Sequence, residues 1–266
     1  MLNRRSLSTL ALLSVLFACG GTPRTTKVRY AVSAKKNLEI GEKKLKDKDW
    51  LAASKYFSFV KARFPFSRQA VTAELRLADS EFGAEAYLQA IDSYKNFIKF
   101  HPTHEKVTDG YVAFKIGESY IKLLPGDLWI IPPSFEKDQS ATTDAHRELS
   151  KFEKKYPSSQ YLPKAKKYLL QINTRLANHE YYVAQFYWER DKPSGTILRL
   201  RQLLKKNKGT ALDKKALDLL GRAYKRVGDK KRAKMTMEQL IKEFPSSSEA
   251  SEAKKSLSGL KANGPA

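Results

Sequence analysis

The chain has 266 residues, 41% of them hydrophobic, and Lys and Arg outnumber Asp and Glu so far that the formal charge is +22. That length supports a sizeable core, and the single cysteine, Cys19, excludes an internal disulfide, a cysteine zinc cluster or a thiol–disulfide couple. The positive excess implies acidic partners such as anionic lipid headgroups or an acidic protein face, and no nucleic-acid-binding motif accompanies it.

Residues 1–18 carry Arg4 and Arg5, then an apolar run from Leu10 to Phe17. This is the layout of a bacterial export signal, and the run is too short to span a bilayer. Leu16-Phe17-Ala18-Cys19 is similar to a lipobox, so cleavage before Cys19 and transfer of a diacylglycerol to its thiol are expected. Several acyl chains then hold the protein at a membrane surface without a spanning helix. Gly20, rather than an aspartate, follows the cysteine, which points to the outer membrane, and export also separates the chain from nucleic acid. Residues 19–33, rich in Gly, Thr and basic residues, read as a flexible lipidated tether.

From residue 34 onward apolar residues recur at helical spacing and nothing reads as a strand. Helices are expected over 34–46, 50–64, 67–82, 87–100, 107–123, 142–156, 160–189, 195–206, 213–227, 230–244 and from about 248. A short phrase, Phe64-Pro65-Phe66-Ser67, punctuates them and recurs as Phe100-His101-Pro102-Thr103, Tyr156-Pro157-Ser158-Ser159 and Phe244-Pro245-Ser246-Ser247. Proline cannot continue a helix and pushes its predecessor out of the α region, while the Ser or Thr that follows can cap the next helix.

Pro65 and Pro102 lie 37 residues apart, close to the roughly 34-residue period of two-helix tetratricopeptide repeats. The template's small residue falls on Gly41, Ala78, Gly117 and Gly221, and its second-helix alanine on Ala53, Ala90, Ala145 and Ala233. The next intervals, 55 and 88 residues, require an insertion in the third unit and a hidden fourth unit closing at Asn207-Lys208-Gly209-Thr210, where the aromatic and the proline are gone. The expected fold is therefore an all-α helical-hairpin solenoid of about five repeats. It divides into N-terminal repeats over 34–123, an insertion loop over 124–139, C-terminal repeats over 140–261 with one long helix, and a disordered tail over 262–266. No single hairpin buries its own apolar face, so stacked neighbours make the core and curve the array into a groove.

Catalysis finds no footing. His101, His104, His146 and His179 are scattered, and His179-Glu180 lacks the second histidine of a helical zinc pair because Val183 stands there. Neither a Gly-rich phosphate loop nor a nucleophile elbow is present. No cofactor is expected beyond the covalent lipid on Cys19. The charge runs Lys43-Lys44, 164–167 and Lys205-Lys206 read as solvated helix faces.

Beyond the repeat template, the chain resembles the BamD family, the tetratricopeptide lipoproteins of the outer-membrane β-barrel assembly machinery. The resemblance rests on Trp50, Ala53 and Tyr56-Phe57 leading into Arg63-Phe64-Pro65-Phe66-Ser67, and on the stretch from Phe97 to His104. It continues in Lys137-Asp138-Gln139, in Tyr156-Pro157-Ser158-Ser159-Gln160-Tyr161, in Leu176-Ala177-Asn178-His179-Glu180 and in Val183-Ala184, Phe186-Tyr187 and Glu189-Arg190. Lys208 in place of a proline and Thr196 in place of an alanine depart from the repeat pattern.

The resemblance implies a non-enzymatic scaffold, lipid-anchored on the periplasmic side of the outer membrane, that binds the periplasmic domains of BamA and helps recruit unfolded outer-membrane protein precursors. Other lipoproteins of the same complex are further partners. Repeat register puts Leu38, Glu42, Leu75, Asp79, Phe82, Tyr111, Phe114 and Glu118 on the inward face of the first three units, a groove suited to an extended aromatic-ended peptide. On the C-terminal side Arg199, Arg201, Lys205, Arg222 and Arg226 are the expected contacts to acidic residues of BamA. The insertion carries Trp129-Ile130-Ile131-Pro132-Pro133, which reads either as a partner- or membrane-touching loop or as an apolar segment folded back on the repeats. The competing reading is another periplasmic repeat lipoprotein, one that scaffolds envelope or peptidoglycan machinery.

Overall fold

The computed structural model describes residues 28–126 and 133–262. Cys19, Trp129, Ile131 and the tail after residue 262 lie outside the described residues. Among those described the secondary structure is helical, without a strand. The first two hairpins are α1 (Ala34–Lys46) with α2 (Trp50–Arg63), and α3 (Arg68–Gly83) with α4 (Tyr87–Phe100). A single turn, α5 (Glu105–Thr108), precedes the third pair, α6 (Tyr111–Lys122) with α7 (Ser140–Lys155). The fourth and fifth pairs are α8 (Leu162–Glu189) with α9 (Pro193–Lys206), and α10 (Asp213–Arg226) with α11 (Lys230–Glu243). The last helix, α12 (Ser248–Ala262), packs on α10 and α11.

The repeat period is written into the backbone. The turns inside four hairpins each place one residue in the left-handed region, Lys48 (φ 59°), Glu85 (φ 61°), Asp191 (φ 54°) and Gly228 (φ 80°). Within each half of the array these fall 37 residues apart. The closing phrases also share one geometry, with Phe64, His101, Tyr156 and Phe244 ending their helices at φ between −127° and −132°. Asn207 ends α9 at φ −126° with its N–H bonded to Leu203, so the fourth unit keeps the conformation after losing the residues that usually encode it. Ser67 and Ser247 do the same work at two such corners. Each hydroxyl accepts from a backbone N–H of the next helix, that of Ala70 or Ala250, and donates to the carbonyl of Phe64 or Phe244. Thr196, at the small-residue position of α9, is fully buried and donates to the Ala184 carbonyl at 3.2 Å, so its hydroxyl is satisfied rather than disruptive.

One expected helix, 107–123, is broken. The chain turns at Gly110 (φ 85°), and the Asp109 carboxylate accepts from the N–H of Tyr111 at 2.7 Å to start α6 afresh. A Cβ at position 110 would sit 2.9 Å from the Tyr156 ring, so both the conformation and the space require glycine.

Apolar side chains between successive hairpins form the core. Leu75, Tyr94, Phe97 and Val112 fill the space among α3, α4 and α6, while Phe114, Leu149, Phe152, Leu169 and Ile172 fill that among α6, α7 and α8. Full burial of one such side chain is worth about 1.5–3 kcal/mol. The long α8 serves two cores. Its first half supplies Ala165, Leu169 and Ile172 to the third unit, and its second half supplies Ala177 and Ala184 to a cluster with Leu200, Leu203 and Leu220.

The end of the expected tether and the two ends of the insertion are both held against the repeats. Residues 28–33 lie against the first hairpin: Tyr30 stacks on Phe59 with ring centroids 4.0 Å apart, and Tyr56 donates to the Arg29 carbonyl. The fully buried Asn37 side chain bonds both the N–H and the carbonyl of Ala31. Among the described residues this strip packs on the outer end of the first hairpin. In the insertion, Arg175 of α8 donates to the carbonyls of Pro125 and Ser134, gathering the two ends of the loop, and His179 bonds the Phe135 carbonyl at 2.6 Å.

Candidate protein-interaction site

The inward face of the first three units carries two polar networks. In the first, Asp79 on α3 accepts from the hydroxyls of Tyr94 and Tyr111, both at 2.7 Å, and from Arg76 at 2.8 Å. Arg76 also reaches Glu42 of α1 at 3.5 Å, tying the first unit to the second. Burial, followed by the negative charge of Asp79, holds the phenols of Tyr94 and Tyr111 well above their ordinary range. Burial pulls the Arg76 guanidinium down, but Asp79 and Glu42 more than offset it.

In the second network the Glu118 carboxylate accepts from Lys164 at 2.6 Å, Lys115 at 2.9 Å and Tyr168 at 3.0 Å. Burial works against its charge, yet these bonds outweigh burial and leave its pKa below the ordinary glutamate value. Lys115 lies 3.3 Å over the Phe82 ring, a close cation–π contact that ties the second network to α3.

The eight inward residues therefore separate by environment. Glu42 is exposed and Leu38, Phe82 and Tyr111 are half-buried. Leu75 and Phe114 are only 4% and 3% exposed and belong to the cores, so they offer no surface to a peptide. Asp79 and Glu118 have their carboxylates filled by internal donors. Phe114 is covered by Tyr161, stacked at 5.1 Å, and by Tyr168, both from the segment after α7. Arg76 and Lys115, absent from the sequence reading, were legible as i,i+3 partners of Asp79 and Glu118. Lys164, 46 residues from Glu118, was not.

The five C-terminal cations do not gather at one place. Arg199 pairs with Glu180 of α8 at 3.4 Å. Arg222 and Arg226 lie on α10 over the Trp188 ring, and they pair with Asp218 at 3.1 Å and Asp191 at 2.9 Å. Burial raises the pKa of Asp218, with Arg222 opposing. Arg201 and Lys205 instead line a groove between α9 and α11.

Among the described residues no helix is long and apolar enough to cross a membrane, and no cluster of three His, Cys, Asp or Glu side chains is placed to hold a metal. Stacked helical hairpins, with polar and aromatic groups along one inward face and cations exposed at the far end, define an interaction scaffold of the tetratricopeptide class.

Within that class the chain belongs to the YfiO family of outer membrane lipoproteins, whose profile matches residues 31–238. It is similar to the outer membrane protein assembly factor BamD of Neisseria meningitidis serogroup A, 23% identical over 252 residues that cover 92% of each chain. The factor of the same name from Vibrio cholerae is 24% identical over 227 residues, 84% of this chain and 92% of that one. Among solved structures, the TPR2AB domain of yeast Sti1 is similar over 86% of each chain at 13% identity and a TM-score of 0.40.

Proposed function

We propose that the protein is a non-enzymatic subunit of an outer-membrane β-barrel assembly complex, held to the membrane by lipid on Cys19. The observation that carries this reading is the span of the match. Relatives named outer membrane protein assembly factor BamD align over 92% of the chain, and the family profile spans residues 31–238, which include the long α8.

In this reading the first three units receive segments of unfolded precursors. Glu42, Phe82 and Tyr111 remain accessible there, and the surrounding networks hold them in place, so little side-chain entropy is lost on binding. The C-terminal units hold the periplasmic domains of BamA, with Arg222 and Arg226 around Trp188 as the principal cations and Arg199, paired with Glu180, as a separate contact. Arginine suits this role because its planar fork gives register against carboxylates.

The test is a pull-down of the mature, detergent-solubilised protein from its own envelope, beside a Cys19→Ala form. Recovery of BamA by both forms in detergent is the expected result, with lipid acting only as the tether. Recovery of a different envelope complex, without BamA even under mild cross-linking, would overturn the reading.

A further inference from the structure

A groove of about 1000 Å³ runs between α9 and α11, with the nearly buried Leu220 and Tyr224 of α10 at its base. Two large apolar side chains are left exposed on its facing walls, Leu198 on α9 (64% exposed) and Met235 on α11 (59%). They stand 37 residues apart, at equivalent positions of the last two repeats, where the first three carry Lys55, Asp92 and Arg147. Leu198, Arg201 and Lys205 fall at i, i+3 and i+7 and form one stripe along α9.

Three cations of this groove are free while its acids are occupied, and another, Arg232, is held by Asp229. Arg201, Lys205 and Lys242 make no ion pair or side-chain hydrogen bond among the described residues. Glu243 is already bound by Lys208 at 2.9 Å and Gln239 at 3.0 Å, and Glu238 is paired with Lys234 at 3.8 Å. An apolar floor and rim with unmatched positive charge along one wall call for a ligand of the opposite pattern. A lipid headgroup would meet the charge, but not two apolar anchors set on facing helices over an apolar base. A helical segment lying along the groove meets both, with apolar side chains toward Tyr224 and Met235 and carboxylates toward α9.

We infer that the α9–α11 groove docks an acidic amphipathic segment of a partner protein. Arg222, Arg226 and Trp188 do not line it, so it is a different surface from the BamA contact proposed above, and Arg201 and Lys205, expected from the sequence to meet BamA, belong to it.

The test uses the mature full-length protein and a fluorescein-labelled 15-residue peptide with Leu at i, i+3, i+4 spacing and Glu elsewhere. A scrambled peptide of the same composition and a Glu-to-Lys version serve as controls. Anisotropy is expected to show the Leu/Glu peptide binding about tenfold or more tightly than either control and weakening with added salt. The double variant Arg201→Glu/Lys205→Glu and, separately, Met235→Glu are expected to weaken it about tenfold. Lys166→Glu/Lys167→Glu, the same charge change on α8, should leave it unaltered. Circular dichroism establishes that each variant is folded. Equal binding of the scrambled peptide, undiminished binding by the groove variants, or displacement of the peptide by phosphatidylglycerol vesicles would overturn the inference. BamA recovery by the groove variants is scored separately, so loss of one result does not carry the other with it.

Discussion

Glycine at the small-residue position of a repeat's first helix, as at Gly117 and Gly221, gives the sharpest test of how the hairpins close. Gly117 and Gly221 occupy equivalent slots on α6 and α10, yet alanine should act on them in opposite directions. In a helix interior, Gly→Ala gains roughly 1 kcal/mol from propensity alone. At Gly117 the added Cβ would lie 2.4 Å from Leu149 Cδ2 and 2.8 Å from its Cγ, and Leu149 is fully buried with nowhere to turn. Overpacking of that kind costs about 1–3 kcal/mol, so Gly117→Ala should range from neutral to about 2 kcal/mol destabilising. At Gly221 the nearest atom is Met237 Cγ at 3.2 Å, on an unbranched side chain that can move aside. There most of the propensity gain survives, about 0.5–1 kcal/mol. The two variants should thus differ by about 0.5–3 kcal/mol, and each kcal/mol shifts the midpoint by roughly 2–4 °C in a chain of this size. Thermal and urea unfolding followed at 222 nm measure the difference directly. If Gly117→Ala proves as stable as Gly221→Ala, the close approach of α6 to α7 does not constrain the hairpin and the reasoning fails.

Asp79→Ala strips the acceptor from the hydroxyl of the fully buried Tyr94 and from that of Tyr111. It should cost about 1–3 kcal/mol, read as a lower urea midpoint with a folded spectrum. Glu118→Gln should destabilise in a pH-dependent way. The folded pKa of Glu118 is depressed, so its contribution is fully present above the ordinary glutamate value and disappears as pH falls through the folded value. The gap between wild type and Glu118→Gln should accordingly be widest near pH 7 and close at strongly acid pH, and a gap independent of pH would refute it. Gly228→Ala places a side chain at φ 80° and should cost about 1–2 kcal/mol, measured by the same unfolding curves.

The period of 37 residues, the long α8 and the hidden fourth unit were all legible because they follow from local rules: proline stops a helix, a serine starts the next, and a small residue sits where two helices touch. The break at Gly110 was also within reach, since Asp109-Gly110 is a turn dipeptide, but the apolar rhythm on both sides masked it. What failed was the division between groove and core. Leu75 and Phe114 have the right register to face inward, but whether an inward side chain meets solvent depends on what arrives from elsewhere in the chain. For Phe114 that is Tyr161 and Tyr168, more than forty residues away. The scatter of the five cations has the same origin. Helical spacing tells which face of α9 or α10 a residue occupies, whereas Glu180, Trp188 and Asp191, which sort the arginines into separate groups, come from α8 and the turn after it.

Because α8 contributes side chains to two successive cores, the array has a keel. Hairpin arrays are held by contacts between neighbours and can shed their end units one at a time, but no cut or fray near the middle of this one is local. Losing the first half of α8 would uncover Phe114, Leu149 and Phe152, and losing its second half would uncover Leu200 and Leu203. At about 1.5 Å per residue the helix is a strut roughly 40 Å long, and it spans from Lys164, which pairs with Glu118, to Trp188, beneath Arg222 and Arg226.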